Sequence, residues 1–298
     1  MFRAVNSHQR HHDEAPSTFA PIPLDINPQL LLPFGDIPPL NRILRHTHRQ
    51  WQTTQAILSS TTFPPPSRPL VILPLSNPAT LDHSSDFILF IATGEFVLVL
   101  DSPHRENEGD LIIAASALTP AKASFMIHHT SGYLCAALPN ALADKLDLPP
   151  MVAASSNADP NRTAYTITID AADNVTTGIS ATDRSTTCRL LANADVKASD
   201  FRRPGHVVPL RAVAGGVRQR QGHTEAAVEF ARLSGDKNHV GVIAEIVEES
   251  TEVPGKAERG GLHMMRAKEC IEFGRKYGIK VVTIEHLKKH VEETEGKL

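Results

Sequence analysis

The densest group of side chains that could do chemistry lies in residues 101–110, DSPHRENEGD, directly after an apolar run that ends at Leu100. Clustered carboxylates repel one another, so a fold tolerates them where a cation or basic groups occupy the site. Charged loops at strand ends are also where α/β enzymes place their active sites. A solvated acidic turn is the alternative interpretation. The candidate residues are Asp101, Arg105, Glu106, Glu108 and Asp110.

A second group, at residues 218–226, has the sequence RQRQGHTEA and follows two glycines. Thr224 is a suitable cap for the helix expected there, and a helix N-terminus offers free N–H groups and positive potential to a phosphate. Arg220 adds a donor that can bind two phosphate oxygens, and His223 would lie beside the bound group. An ordinary glycine-rich loop is the alternative. The candidate binding residues are Arg220, Gln221, Gly222, His223 and Thr224.

Four further positions stand out singly. In the stretch RRPGH, proline and glycine predict a turn that presents His206, although a lone histidine is often structural. Glu245 lies in an apolar run, where a carboxylate is costly unless an ion pair or a reaction uses it. The hydroxyl-rich residues 176–184, which include Thr182, could line a polyol-phosphate pocket or form a plain polar loop. Cys135 lies among apolar residues and is expected to be a buried core thiol.

The elements that must position these residues mix strands and helices from about residue 82 onward. Short apolar runs rich in β-branched residues predict buried strands, and apolar residues three and four apart predict helices. The fold class is therefore α/β, a mixed β-sheet with surrounding helices in a single catalytic domain. Strands are predicted at 96–100, 133–138, 165–169, 240–247 and 281–284, and helices before Gly94, from Pro120, from Thr224 to Gly235 and from Ala267 to a cap at Gly278.

Composition divides the chain near residue 80. Residues 1–80 hold 13 of the 22 prolines and no lysine, so we interpret them as a proline-rich, disordered extension, with a small accessory domain as the alternative. Residues 81–298 are expected to form the catalytic domain. The net charge of −3 and the lack of a long apolar run or an apolar signal region favour a cytoplasmic protein without nucleic-acid or membrane partners. The three cysteines fit neither a disulfide framework nor a zinc site.

Six motifs follow one another between about residue 84 and about residue 291. They are RENEGD at 105–110, HTSG at 129–132 with Cys135, TTG at 176–178 with Asp183–Arg184, RPGH at 203–206, GHTEA at 222–226, and Glu245. This series resembles the 3,4-dihydroxy-2-butanone 4-phosphate synthase family. The segment around 251–261 and residues 264–266 are similar to the fungal forms, and we expect the monofunctional type.

The resemblance implies a reaction and a set of roles. The family converts D-ribulose 5-phosphate to 3,4-dihydroxy-2-butanone 4-phosphate and formate, with Mg²⁺ or Mn²⁺ as the cofactor. Glu106 and His223 correspond to metal ligands, and His206 and Glu245 to residues essential for turnover. A homodimer with active sites at the subunit interface is implied. The implied substrate-binding positions are Arg105, Glu106, Glu108, Asp110 and residues 220–224.

The residue types suit this chemistry. Carboxylate oxygen and imidazole nitrogen, completed by water, suit Mg²⁺ or Mn²⁺, and such an ion would act as a Lewis acid that lowers the cost of an enediolate. Enolisation also needs an acid or base, for which His206, Glu245, Glu108 and Asp110 are candidates. Two alternatives stay open: a metal-dependent aldolase or isomerase of another sugar phosphate, and a homologue with a decayed site that acts as a binding protein.

Overall fold

The computed structural model describes residues 86–298. The extension expected over residues 1–80 lies outside the described residues, and so does the boundary expected at residue 80. Within residues 86–298, no helix combines the length and the apolar character that crossing a membrane requires.

The described residues form one seven-stranded sheet with helices around it. The strands are β1 (Val97–Leu100), β2 (Gly109–Ala114), β3 (Cys135–Leu138), β4 (Ile169–Ala171), β5 (Phe201–Arg211), β6 (Gly241–Glu245) and β7 (Lys280–Thr283). The described α-helices are α1 (Asp86–Ala92), α2 (Pro120–His129), α3 (Asn140–Lys145), α4 (Ala181–Leu191), α5 (His223–Leu233), α6 (Ala267–Tyr277) and α7 (Ile284–Glu295). The strand order is β4–β5–β3–β6–β2–β1–β7, and parallel and antiparallel pairs both occur. The predicted α/β class with a mixed sheet is therefore confirmed.

Helices cover both faces of this sheet. Successive strand residues point to opposite faces, so Leu98 belongs to one core while Val97 and Val99 belong to the other. The first core includes residues of α2, α4 and α6, and the second includes residues of α1, α5 and α7. Because both faces are buried, the central strands read as continuous apolar runs in the sequence.

The register of three strands brings charged residues together at one end of the sheet. β2 runs antiparallel to both β1 and β6, so the start of β2 lies beside the ends of its two neighbours. Asp110 pairs with Val99 on one side and with Glu245 on the other. Paired residues on adjacent strands project from the same face, here the face that α5 covers. The two carboxylates therefore leave the sheet side by side.

One predicted strand is wrong, and one predicted turn is a register shift within a longer strand. Tyr165 and Thr166 form only isolated bridges, and β4 begins at Ile169. The facing residue Pro209 accepts a hydrogen bond from the Thr166 N–H but has no N–H to return, which prevents a continuous ladder. The stretch that ends at His206 lies within β5, but residues 203–206 have no partner in β4, because the register shifts from the Asp170–Arg202 pair to the Ile169–Val207 pair.

The predicted helix ends mostly follow local rules. Thr119 Oγ1 accepts a hydrogen bond from the Lys122 N–H at 3.2 Å, and Gly278 ends α6 with φ 68°, as predicted. Thr224, however, does not cap α5. The helix begins one residue earlier, because Gly222 supplies the extended N-cap backbone (φ −113°, ψ 161°), and Thr224 is buried in the first turn.

Candidate active site

Asp101 organises the acidic loop between β1 and β2. Its buried carboxylate accepts hydrogen bonds from the backbone N–H groups of Glu106 (3.0 Å) and Glu108 (2.9 Å) and from Arg105 Nη1 (2.9 Å). Arg266, which sequence reasoning did not select, donates to the backbone carbonyl of Glu106 at 2.9 Å from just before α6. A carboxylate with three donors is committed to the loop, so Asp101 shapes the site and is not a free ligand.

Glu106 stands at the mouth of this loop with 34% of its side chain exposed. Its Oε2 contacts the Arg105 guanidinium and lies 3.8 Å from Nδ1 of His223. Its Oε1 accepts a hydrogen bond from Asn161 Nδ2 at 2.5 Å. The backbone carbonyl of Asn161 in turn accepts from Arg220 Nη2 at 3.0 Å. Asn161, which sequence reasoning missed, therefore touches both the glutamate and the arginine of the site.

Within residues 86–298, one ring nitrogen of His223, the first residue of α5, makes no described hydrogen bond. Its Nε2 lies 3.0 Å from the backbone carbonyl of Val99, and because a carbonyl only accepts, Nε2 carries the proton and Nδ1 the lone pair. Burial lowers the pKa of the ring to about 4, so the ring is neutral near pH 7. Nδ1 faces the acidic loop, 3.4 Å from Asp110 Oδ1.

Within residues 86–298, two acceptor atoms, His223 Nδ1 and Asp110 Oδ1, thus lie 3.4 Å apart with no described donor between them. Asp110 Oδ1 is buried and has no hydrogen-bond partner within residues 86–298, and burial, reinforced by Glu245, raises the pKa of Asp110 well above its usual value. Asp101, Glu106 and His223 each offer a ligand atom, all within 4.8 Å of one another. Oxygen and imidazole donors suit Mg²⁺ or Mn²⁺. Asp101 has three hydrogen-bond donors within the loop and Glu106, at its mouth, has two, so Glu106 and His223 are the better placed pair to hold a cation.

Arg220 is held in place beside the start of α5. Its Nη1 pairs with Glu225 Oε2 at 2.5 Å, and Oε1 of this buried glutamate accepts from the Val213 N–H at 2.9 Å. A Cβ at Gly222 would lie 2.3 Å from Arg220 Nη1, so only glycine lets the guanidinium lie against the helix start. The N-terminus of α5 is therefore suited to binding an anion, because the N–H groups of its first turn lack helical partners and the guanidinium lies beside them. Gln221 is exposed in the same turn.

Glu245 and Cys135 lie on the neighbouring strands β6 and β3. Glu245 ends β6 and is partly exposed, and its Oε2 accepts a hydrogen bond from Ser131 Oγ at 2.9 Å. The carboxylate predicted inside an apolar run thus lies where that run meets solvent. Cys135 is buried at the start of β3, and burial raises the pKa of its thiol well above the usual range. The prediction of a core thiol is confirmed.

Residues 176–184 fold onto themselves. Asp183 accepts hydrogen bonds from Thr176 Oγ1 at 2.7 Å and from the Gly178 N–H at 3.1 Å. Arg184 is buried and donates to the backbone carbonyl of Gly132 at 2.6 Å. Thr182 is exposed on α4, and no contact described for residues 86–298 joins it to the acidic loop. A polyol-phosphate pocket at this stretch stays a prediction.

His206 lies on β5, apart from the Glu106–His223 group. Its ring Nδ1 is 2.8 Å from Oδ2 of Asp170, the residue that follows the alternating run 165–169. The sequence signal that was missed is this carboxylate, which directly follows the predicted strand 165–169. β3 and β6 separate β5 from β2, so three strand spacings place the strands that carry His206 and Asp110 roughly 14 Å apart. Within the described part of the chain, no contact joins His206 to Glu106 or His223.

Comparison with known proteins identifies relatives along most of the chain. The family model of 3,4-dihydroxy-2-butanone 4-phosphate synthase matches residues 85–290. The chain is 54% identical over 227 residues to the synthase of this name from Pyricularia oryzae, which covers 76% of this chain and 95% of that protein. It is 47% identical over 203 residues to the synthase from Saccharomyces cerevisiae, covering 67% of this chain and 93% of that protein.

Solved structures agree with these relatives. A crystal structure of 3,4-dihydroxy-2-butanone 4-phosphate synthase in complex with two magnesium ions aligns with a TM-score of 0.69 and 56% identity, over 72% of this chain and 98% of that one. The cation-free form of a synthase of this name gives a TM-score of 0.68 and 52% identity, over 73% and 100%. The fold and motifs are thus those of an enzyme of riboflavin biosynthesis. The chain belongs to the 3,4-dihydroxy-2-butanone 4-phosphate synthase family, so the resemblance seen in its motifs is confirmed.

Proposed function

We propose that this enzyme converts D-ribulose 5-phosphate to 3,4-dihydroxy-2-butanone 4-phosphate and formate, with a divalent metal ion at Glu106 and His223. The arrangement that carries the proposal is the free Nδ1 of His223, which faces Glu106 Oε2 and the unpartnered Asp110 Oδ1. Family membership supports the reaction. No further reactant is needed, because the atoms of the ketose phosphate divide completely between the two products.

Mg²⁺ is the proposed ion, with Mn²⁺ as the alternative. The donor set of one carboxylate and one imidazole supports this choice, and so does the related synthase crystallised with two magnesium ions. When bound, the ion would supply Lewis-acid stabilisation of the negative charge that develops on the sugar during enolisation. The hydrogen bond from Nε2 to the Val99 carbonyl would keep His223 in the tautomer that a metal requires.

Proton transfers are assigned to His206 and to the carboxylates around the Glu106–His223 pair. The reaction sequence that family membership suggests is enolisation, loss of the C1 hydroxyl as water, skeletal rearrangement, and uptake of one water as C4 is released as formate. Burial raises the pKa of both Asp110 and Glu108, so these groups can hold a proton closer to neutral pH than ordinary carboxylates do. Glu245, beside Asp110, and His206 are proposed to be essential for turnover.

The substrate phosphate is proposed to bind at the start of α5. Arg220 points a guanidinium at this end, and Glu225 and Asn161 hold the guanidinium before any ligand arrives. Such prior positioning reduces the conformational entropy lost on binding. Arg105, Gln221, Gly222 and Thr224 complete the proposed substrate-binding set.

Arg220→Ala is expected to raise KM for ribulose 5-phosphate by about 10², with a smaller change in kcat, because a charge-assisted phosphate contact is lost while the metal residues stay. Steady-state formate release at varied substrate concentration measures both constants. Arg218→Ala is the matched control, since Arg218 lies in the same turn but donates to the Gly296 carbonyl at 2.9 Å. An unchanged KM in Arg220→Ala would contradict the phosphate role.

The reaction itself is tested by incubating the protein with ribulose 5-phosphate and Mg²⁺ and assaying both products. We expect formate and the four-carbon phosphate in equal amounts, no formate in excess chelator, and recovery when Mg²⁺ or Mn²⁺ is added back. An aldolase or isomerase would change the sugar phosphate without releasing formate. Full activity in excess chelator, with no metal detected, would contradict the metal site.

A homodimer with shared active sites is proposed as the working form. The position of His206 three strands away from Asp110 supports this arrangement, and no contact described for residues 86–298 joins His206 to Glu106 or His223. About 40% of the His206 side chain is exposed, so the ring is available to a second subunit. In this arrangement, the partner's His206 acts on the substrate held by Glu106, His223 and Arg220.

A further inference from the structure

The geometry points to Asp170 as a positioning residue that holds the ring of His206 in one tautomer and one orientation. This inference rests on the proposed role of His206 in turnover. The Asp170 side chain is 6% exposed, whereas that of His206 is 40% exposed. The carboxylate binds His206 twice, with Oδ2 2.8 Å from the ring Nδ1 and Oδ1 accepting from the backbone N–H at 2.9 Å.

The two bonds determine what the ring can do. An ionised carboxylate only accepts, so the ring Nδ1 carries the proton that it donates to Asp170 Oδ2. The lone pair then lies on Nε2, from which a ring can accept a proton from a substrate and return it. The bond to the backbone N–H of His206 ties the carboxylate to the same residue, so carboxylate and ring cannot turn independently.

A neighbouring loop is built closely against this pair. Gly178 has φ 96°, and a Cβ there would lie 2.0 Å from Asp170 Oδ2 and 2.7 Å from His206 Nδ1. Asp183 holds the loop by accepting from the Thr176 hydroxyl and the Gly178 N–H. The Asp170–His206 contact is therefore enclosed by the fold on this side and is not a chance surface pairing. Among the contacts described for residues 86–298, Asp170 is the charged group that touches the ring.

Asp170→Asn tests the inference, because the amide keeps the size of the side chain but presents an N–H₂ donor to Nδ1 and so favours the tautomer protonated on Nε2. We expect kcat for formate release to fall by about 10² or more, with KM changed by less than about threefold, since the phosphate contacts remain. Asp170→Glu keeps the carboxylate and should restore part of the lost kcat. Asp173→Asn, an exposed acid three residues further on, is the matched control.

A second readout does not depend on turnover. With ¹⁵N-labelled histidine at about pH 8, where an ordinary imidazole is neutral, wild-type His206 should show a protonated Nδ1, and Asp170→Asn should move the proton to Nε2. If the wild type releases no formate, the proposed function fails while this measurement still tests Asp170. A wild-type ring protonated on Nε2 would overturn the inference even if no variant folded. An activity loss in Asp170→Asn with an unchanged tautomer and no rescue by Asp170→Glu would overturn it too.

Discussion

Glu106→Gln and His223→Ala enzymes are expected to lose at least about 10³-fold in kcat and to lose their response to added Mg²⁺. Glu106 Oε2, which also contacts the Arg105 guanidinium, and Nδ1 of His223 lie 3.8 Å apart at this end of the sheet, and both are ligand atoms in the proposed metal site. Removing either leaves one side-chain donor of the proposed pair, which weakens the binding of a strongly hydrated ion. Formate release measured across Mg²⁺ concentrations, together with direct Mn²⁺ binding, reports both losses.

The controls for this experiment are a glutamate and a histidine elsewhere on the surface. Glu293→Gln removes a carboxylate whose described ion pair is with Lys289, and His128→Ala removes an exposed ring bonded to the Ser124 carbonyl at 2.7 Å. Both should keep wild-type turnover and metal response. A Glu106→Gln enzyme that still binds Mn²⁺ and turns over at the wild-type rate would contradict the proposal that Glu106 is a metal ligand.

The second large effect concerns His206 and Glu245. His206→Ala and Glu245→Gln are each expected to lower kcat by at least about 10², while ribulose 5-phosphate still binds through Arg220 and the start of α5. In a shared-site homodimer, mixing inactive Glu106→Gln and His206→Ala subunits gives heterodimers with one intact site. Random exchange should therefore restore about a quarter of the wild-type sites.

The matched control for the mixing experiment is Glu106→Gln with His223→Ala. These two residues come from the same chain in every site, since their side-chain atoms lie 3.8 Å apart within one subunit. That pair should give no recovery at any ratio. Shared sites are ruled out if the Glu106→Gln and His206→Ala mixture also stays inactive after subunit exchange has been verified, for example by mass spectrometry of differently tagged subunits.

How much of the fold could be predicted depends on how local its causes are. The apolar run of β1, the Thr119 cap of α2 and the Gly278 end of α6 are set by a few adjacent residues, and the sequence predicts all three. β5 was missed because its prolines and glycine suggest a turn, whereas they cause only a register shift, and pairing with β3 and β4 on either side continues the strand. Long-range pairing of this kind leaves no pattern in a short window of sequence.

The candidate site shows the same division. Residue types and spacing selected the acidic loop, His223 and Arg220, because the chemistry of carboxylates, imidazoles and guanidinium groups is visible in the sequence, and the resemblance to the family singled out Glu106 within that loop. Their positioning partners were missed, because each contact spans a long stretch of chain. Asp170 reaches His206 across 36 residues, Asn161 reaches Glu106 across 55, and Ser131 reaches Glu245 across 114.

The pairing of Asp110 with Glu245 limits which insertions and deletions this protein can accept. Removing one residue between Asp110 and the middle of β2 would turn the carboxylate to the opposite face of the sheet, away from His223, because side chains alternate along a strand. No compensating substitution at a single position would return it. The exposed connection around the Glu252–Arg259 bridge lies outside these strands, so a change in its length would not alter the face from which Asp110 projects. Changes of length therefore belong in that connection, while β2 and β6 can change only in side-chain identity.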